Sequence, residues 1–215
     1  MEIEKQLYLI TRNTDEVLTI EDLRSFLERG IKLNHYIGFE ISGRVHLGTG
    51  LMTGIKIADF QKAKVNCTCY LATWHAWINN KLDGTLETIR KASKYFAEAL
   101  KASIAAMGGD EEKVNFVAGD ELYHNNDLYW KLTIEIAKHT TLSRAIRSTG
   151  IMGRIAEKEM PLAWVFYPPM QVADIFILDA NLAHAGMDQR KAHVIARDVA
   201  TKITTKPLLY EGKAY

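Results

Sequence analysis

Cysteine and proline are nearly absent from this 215-residue chain, with two of the first and four of the second. Cys67 and Cys69 have only Thr68 between them, in the apolar run "VNCTCYLAT". A strand would point both to one face, and the plain reading is a pair of small buried apolar residues. A zinc site needs further ligands at a recognisable spacing, and none accompanies them. Pro168 and Pro169 are adjacent, and no proline-rich linker divides the chain. Low-complexity stretches, charge blocks and internal repeats are missing too, so one compact domain over residues 1–215 is expected. No apolar run approaches the roughly 18 residues that cross a bilayer. The N-terminus "MEIEKQLYLITRN" is charged and lacks the apolar core of a signal peptide. A cytoplasmic protein with no membrane partner is therefore expected. The net charge of +1 singles out no nucleic-acid or membrane partner, although a local basic patch stays open.

What the chain does contain is ordinary in bulk and ordered in detail. It is 47% hydrophobic and 25% charged, a globular composition, and long enough for one sizeable domain. Strands and helices alternate along it. "TIEDLRSFLERG" reads as a helix with Thr19 as N-cap and Gly30 as stop. "HYIGFE" (35–40) reads as a short buried strand. "HLGTGLMTGIKIADFQKA" reads as a helix with Leu51, Ile55, Ala58 and Lys62 along one face. "KVNCTCYLATWHAW" (64–77) reads as a strand. In "TLETIRKASKYFAEALKASIAAMGG" the residues Ile89, Ser93, Phe96, Leu100 and Ile104 keep the helical period. "KVNFVAG" is a strand, and residues 126–159 are mostly helical. "PPMQVADIFILD" is a helix with Pro168 and Pro169 in its first turn. "ANLAHAG" is a strand or loop, and "MDQRKAHVIARDVATKI" is a helix. Such alternation predicts an α/β fold of the Rossmann-like kind, with a parallel sheet covered by helices on both faces.

Two stretches carry candidate chemistry. "YIGFEISGRVHLGTG" (36–50) holds Gly38, Gly43, Gly48 and Gly50 between a strand end and a helix start. Ligands of open parallel sheets bind at such places, and a helix N-terminus attracts phosphate. The alternative is a tight turn with close helix–sheet packing. The spacing is neither the dinucleotide fingerprint nor a P-loop, which argues against a dinucleotide oxidoreductase. The second stretch is "YPPMQVADIFILDANLAHAGMDQRKAHVIARD". Asp174 lies there among Val172, Ile175 and Phe176, and a carboxylate so placed needs a partner. It either bonds its own structure or serves a ligand. Asp188, at a helix start after Gly186, either caps that helix or reaches a ribose hydroxyl.

Taken together, these stretches resemble the class I aminoacyl-tRNA synthetases. His46-Leu47-Gly48-Thr49 stands where that family has its "HIGH" motif. "ATWHAWINNKL" resembles its "ADLHA" strand end, and "YPPMQVADI…HAGMDQRKAH" is similar to the specificity helix and ribose loop of tyrosyl-tRNA synthetases of the archaeal and eukaryotic type. The resemblance runs from about residue 1 to about residue 205. It implies tyrosine activation by ATP, giving tyrosyl-adenylate and pyrophosphate, and transfer of the tyrosyl group to tRNA(Tyr). ATP is then a substrate, with Mg2+ accompanying it, and no protein-held metal is expected. His46 and Thr49 would face the ATP phosphates, with Gly38, Gly48, Gly186 and Asp188 receiving the nucleotide. Tyr36 and Asp174 match the pair that binds the substrate phenol. Tyr167, Gln171 and Gln189 match residues at its α-amino end, and His75 and Thr73 line the pocket. Arg190 and Lys191 match a position beside the tRNA acceptor stem. A homodimer is implied, its interface in a helical insertion near residues 110–165, where "MGGDEEKVNFVAGDELYHNNDLYW" offers exposed-looking aromatics; a packed-helix reading of the same stretch serves equally well.

The match departs from the family in places. Thr49 replaces the second histidine of "HIGH", and Thr73 replaces an aspartate, which bears on amino-acid affinity. The sequence ends at "KPLLYEGKAY" (206–215), before the "KMSKS"-type loop and anticodon-binding domain with which the family continues. The expectation is a fragment or a short relative that keeps tyrosine binding but forms adenylate weakly or not at all. Two alternatives stand beside it. One is a tryptophanyl-tRNA synthetase. The other is a non-catalytic shortened paralogue that binds an amino acid or RNA.

Overall fold

The computed structural model describes residues 2–152 and 160–205. Its centre is a four-stranded parallel sheet in the order β3-β2-β1-β4. The strands are β1 (Asn34–Glu40), β2 (Asn66–Ala72), β3 (Val114–Ala118) and the short β4 (Leu182–Ala183). Helices α1 (Ile3–Thr11) and α2 (Ile20–Glu28) precede β1, and α3 (Leu47–Lys62) links it to β2. After β2 come α4 (Thr73–Ile78) and the long α5 (Leu86–Ala106). After β3 come α6 (Gly119–Tyr123), α7 (Asp127–Lys138) and α8 (Leu142–Ser148). Helix α9 (Ala163–Ile177) leads into β4, and α10 (Arg190–Ala200) follows it. The α/β class read from the alternation is thus the observed one.

One face of the sheet packs on α1, α2 and α3 through Leu7, Leu23, Ile57 and Phe60, with Cys67 and Cys69 in the same cluster. Both cysteines are free and buried. Burial pushes the Cys67 thiol up to about 12 and the Cys69 thiol higher still. Neither is a thiolate, and among the described residues no cluster able to hold a metal appears. The other face packs on α7, α9 and α10 through Tyr129, Leu132, Val172, Ile175 and Ile195.

Several local expectations change. The strand expected over 64–77 stops at Ala72, and Thr73–Ile78 is helical. Its aromatics Trp74 and Trp77 pack edge-to-face as helix neighbours, so β propensity yields to tertiary packing. The helix expected over 126–159 is broken at His139–Thr141, where Thr141 caps α8 by accepting from the Arg144 N–H. The part of that expectation covering 153–159 lies outside the described residues. Pro168 and Pro169 do not open α9; they sit in its interior. The helix begins earlier because Trp164 and Tyr167 bury themselves against Ile151, Met152 and Ala192.

The buried face of α3 is also shifted. Leu51 and Ile55 are exposed, while Gly50, Thr53, Gly54, Ile57 and Ala58 are buried. A Cβ on Gly54 would stand 2.5 Å from the Ser103 backbone oxygen, and one on Gly50 2.7 Å from Ser103 Oγ. Those two glycines let α3 approach α5 closely. Part of the glycine content of the 36–50 stretch and its continuation is therefore packing.

Candidate functional site

The chain builds the sheet outward from β1 to β3 and then returns to the far side of β1 with β4. The carboxyl ends of β1 and β4 therefore flank the switch point, where such sheets form a crevice. Two cavities open there. One, of about 500 Å³, is lined among others by Tyr36, Gly38, His46, Tyr167, Gln171 and Asp174. The other, of about 580 Å³, lies between the 13–19 segment, α3 and the start of α10. Thr49 and Gly186 line both.

Asp174 forms the closed end of the first cavity. It is fully buried on α9. Its Oδ1 accepts from Tyr123 Oη at 2.8 Å and from Tyr129 Oη at 3.2 Å. Its Oδ2 has no hydrogen-bond partner among the described residues. His75 Nε2, 3.6 Å from that oxygen, has none either. Burial holds the Asp174 carboxyl well above the usual carboxylate range, and the hydroxyls of Tyr123, Tyr129 and Tyr70 pull it back. Burial lowers His75 to about 3, so the ring is neutral. An unpaired acceptor in a dry cavity is costly unless something fills it.

Tyr36 enters the cavity from β1, paired in register with Ala183 of β4. Its hydroxyl lies over Gly38 on the same strand face, where a Cβ would stand 2.5 Å from Tyr36 Oη. Gly38 thus makes room for the Tyr36 hydroxyl. Higher in the cavity, Tyr167 Oη donates to Glu40 Oε1 at 3.3 Å, and its ring meets His75 edge-on. Glu40 also accepts from Asn79 and pairs with Lys81 at 3.1 Å. Gln171 Nε2 donates to Gln189 Oε1 at 2.9 Å, and Gln171 Oε1 is buried without a partner among the described residues. Tyr36, Gly38, His46, Thr49, His75, Tyr167, Gln171, Asp174, Gly186, Asp188 and Gln189 all line this one cavity. Gly48 lines the neighbouring one.

The open end is built differently. His46 is exposed and caps α3, its Nδ1 accepting from the Thr49 N–H at 3.2 Å. With Nδ1 accepting, a neutral ring carries its proton on Nε2, which faces Thr49 Oγ1 at 2.8 Å. The pair forms a small polar unit at a helix N-terminus, where the backbone favours anions. A Cβ on Gly186 would stand 2.5 Å from Asp188 Oδ1. Gly186 therefore lets the Asp188 side chain fold back, where its Oδ2 accepts from Gln189. The helical turn Met187–Gln189 has Gly186 at its N-cap and no side-chain cap, so Asp188 does not cap it.

Thr73, expected to line the pocket, and Arg190 and Lys191, expected beside the acceptor stem, lie outside the first cavity. Thr73 is buried away from both cavities and donates to Asp120 at 3.2 Å. Asp120 also accepts from Trp74 and Arg90. Arg190 holds Glu16 with two hydrogen bonds and lines the second cavity. Lys191 donates to the Arg147 carbonyl on the surface. The aromatics of the 107–130 stretch are not exposed: Tyr123 is 2% and Tyr129 0% accessible. They point inward to Asp174. Sequence reasoning missed them, together with Tyr70 and Glu40, because α6 and β2 meet Asp174 only in the folded chain. A buried acid in an apolar helix was the one signal that donors had to come from elsewhere.

With this geometry in hand, the comparisons with known proteins are specific. A family model described as tRNA synthetases class I (W and Y) matches residues 28–212. A tyrosine–tRNA ligase of Thermococcus sibiricus is 56% identical over 99% of this chain and 57% of its own length. One of Pyrobaculum calidifontis is 49% identical, over 99% of this chain and 58% of its own. The crystal structure of tyrosyl-tRNA synthetase complexed with L-tyrosine from Pyrococcus horikoshii superposes with a TM-score of 0.95. It is 53% identical, and the match covers all of this chain and 58% of that one. The chain thus spans somewhat over half the length of the relatives it matches. It belongs to the class I tRNA synthetase family of the tryptophan and tyrosine enzymes.

Proposed function

We propose that this chain carries the amino-acid- and ATP-binding core of a tyrosine–tRNA ligase. The observation that carries the reading is Asp174 Oδ2. It is a buried acceptor, without a partner among the described residues, at the closed end of a cavity that Tyr36 also lines. A substrate phenol would donate to it, with the Tyr36 hydroxyl beside it. A site built to bond a hydroxyl strongly rejects the analogue that lacks one, because its own polar group is then left unpaired. An indole offers no group that reaches the same end as a phenol does, which sets the tryptophan reading second.

At the other end, Gln171 Oε1, also without a partner among the described residues, and the hydroxyl of Tyr167 are acceptors for the α-ammonium group. Gln189 fixes Gln171 from behind. The carboxylate of the bound amino acid would attack the α-phosphorus of ATP. The bond to the bridging oxygen breaks, and pyrophosphate leaves with that electron pair. No protein nucleophile takes part. His46 and Thr49, at the N-terminus of α3, would meet the phosphates, with Gly48, Gly186 and Asp188 around the nucleoside and Gly38 beneath the reacting groups. Catalysis in such a site is positioning and charge stabilisation. Mg2+ enters with the phosphates of ATP as part of the substrate.

Arg190 and Lys191, exposed at the start of α10, are assigned to the acceptor stem of tRNA(Tyr). Ile134 and Leu142, exposed on α7 and α8, support an interface between two copies in the region of 110–165. No helix among the described residues is long and apolar enough to cross a membrane, and a cytoplasmic place of work fits this role. Calorimetric titration tests the reading: L-tyrosine binds and L-tryptophan does not. ATP–pyrophosphate exchange, measured on the chain continued to the length of its relatives, then depends on tyrosine. Exchange without that dependence would overturn the assignment.

A further inference from the structure

The hydroxyl groups around Asp174 have a direction. Tyr123 Oη carries one proton and gives it to Asp174 Oδ1 at 2.8 Å. Its short contact with Tyr70 Oη must then be donated by Tyr70. The order is Tyr70 to Tyr123 to Asp174, drawn from β2, α6 and α9. Tyr129 adds a second donor to the same oxygen, sharing its proton with the Met170 carbonyl at 3.3 Å. Among the described residues every hydrogen bond to this carboxyl is made to Oδ1; Oδ2 has only His75 Nε2 near it, at 3.6 Å and beyond hydrogen-bond distance.

The rings are held firmly. Tyr123 stacks on Tyr129 at 4.3 Å between centroids and meets Trp74 edge-on at 5.3 Å. Gly119, which opens α6, makes the arrangement possible. A Cβ there would stand 2.9 Å from Tyr70 Oη and 3.4 Å from the Tyr123 ring.

We propose that Tyr123, with Tyr70 behind it, is the positioning residue that sets this pocket's selectivity for a hydroxylated ring: its O–H occupies Asp174 Oδ1 and so reserves Oδ2 for the substrate. The proposal rests on the reading of Asp174 as the phenol acceptor. Without the Tyr123 hydroxyl only Tyr129, at 3.2 Å and with its proton shared with the Met170 carbonyl, still marks Oδ1, so the carboxyl turns more easily and the two oxygens are less well distinguished. A ligand hydroxyl then loses its fixed acceptor, while a ligand without one loses nothing.

Protonation gives a second handle. The groups facing Asp174 are Tyr36 from β1, Tyr70 from β2, His75 from α4, Tyr123 from α6, Tyr129 from α7 and Tyr167 from its own helix. Burial holds the tyrosines well above their ordinary range and lowers His75 to about 3. All are neutral near neutral pH, so Asp174 is the group there whose charge changes. Tyr123 donates to the ionised carboxyl and favours it. Tyr123→Phe therefore moves Asp174 protonation to higher pH.

The test is calorimetric titration of L-tyrosine and L-phenylalanine into the unaltered chain, Tyr123→Phe and Tyr70→Phe across a pH series. Tyr123→Phe should weaken tyrosine about tenfold and phenylalanine less than about twofold. The acid limb of tyrosine affinity should shift upward, and Tyr70→Phe should move both quantities the same way by less. Equal losses for the two ligands, or an unchanged ratio and limb, would show Tyr123 to be a space-filling residue only. Should Tyr123→Phe not fold, Tyr70→Phe decides by the same criterion. An unaltered chain that does not prefer tyrosine over phenylalanine defeats the phenol reading itself, and the proposal with it.

Discussion

The two ends of the first cavity solve opposite problems. At the closed end, β1, β2, α4, α6, α7 and α9 converge on one carboxylate that is 0% accessible. Tyr123 and Tyr129 bond its Oδ1, while its Oδ2 and His75 Nε2 have no hydrogen-bond partner among the described residues. At the open end, one continuous stretch supplies an exposed histidine that caps its own helix. Charge can be met with water at the open end; at the closed end it must be met with protein or ligand. Selectivity belongs at the dry end, because an unpaired group is costly only where water cannot reach it. Phosphate chemistry belongs at the wet end, beside a helix N-terminus.

Acid should bring out this contrast most strongly. His35 and His75 are buried and His184 and His193 half-buried, and desolvation depresses all four: His75 to about 3, His184 and His193 to about 4, and His35 well below its ordinary value. Unfolded, they titrate near 6.5. As pH falls through 6.5 toward 4 the unfolded chain takes up protons that the folded chain refuses, so stability declines in that window. Asp174, raised rather than lowered, works in the opposite sense, but it is one group against four. Thermal unfolding followed from pH 7.5 to 4 should show a steep loss of midpoint below about pH 6. A flat profile would mean that the interior is wetter than the geometry describes.

Asp174→Asn sharpens the comparison from the functional side. Removing the charge from the acceptor should weaken tyrosine by about 2 kcal/mol, roughly 30-fold, in calorimetry. Thermal stability should hold or rise, because a buried carboxylate that resists ionisation is replaced by a neutral isostere. A parallel loss of stability and binding would mean that the carboxylate holds the fold together and is not reserved for a ligand.

The smallest effect is expected at the open end. His46→Ala removes a helix cap and should cost about 1 kcal/mol or less in denaturant unfolding. Tyrosine affinity should stay unchanged, since the His46 ring bonds Thr49 at the open end and none of the groups around Asp174. A large loss of tyrosine affinity would erase the division between the two ends.

Legibility followed the same division. The stretch from Tyr36 to Gly50 could be read as a site because its glycines, its histidine and its strand-to-helix junction are neighbours in sequence. Yet two parts of that reading changed. Gly50 and its helical neighbour Gly54 serve the contact between α3 and α5, and Gly38 serves Tyr36. Asp174 could be flagged as an acid in need of a partner, but Tyr70, Tyr123 and Tyr129 could not be named as partners. They are 104, 51 and 45 positions away, by subtraction of their numbers. Tyr123 and Tyr129 looked like surface aromatics because "GDELYHNNDLYW" is rich in polar residues. Their inward direction is set by short helices whose faces periodicity does not resolve.

By itself, the sequence determined what depends on neighbours along the chain. It set the alternation of strands and helices, the parallel sheet this alternation requires, the capped helices, and the residue types at the mouth of the cavity. Tertiary structure alone decided where α9 begins, which face of α3 is buried, and which hydroxyls meet Asp174. The reason is physical. Propensity, caps and periodicity act over a few residues, whereas burying a carboxylate calls in donors from wherever the fold brings them. The environment of Asp174 is a product of that assembly and belongs to no single segment.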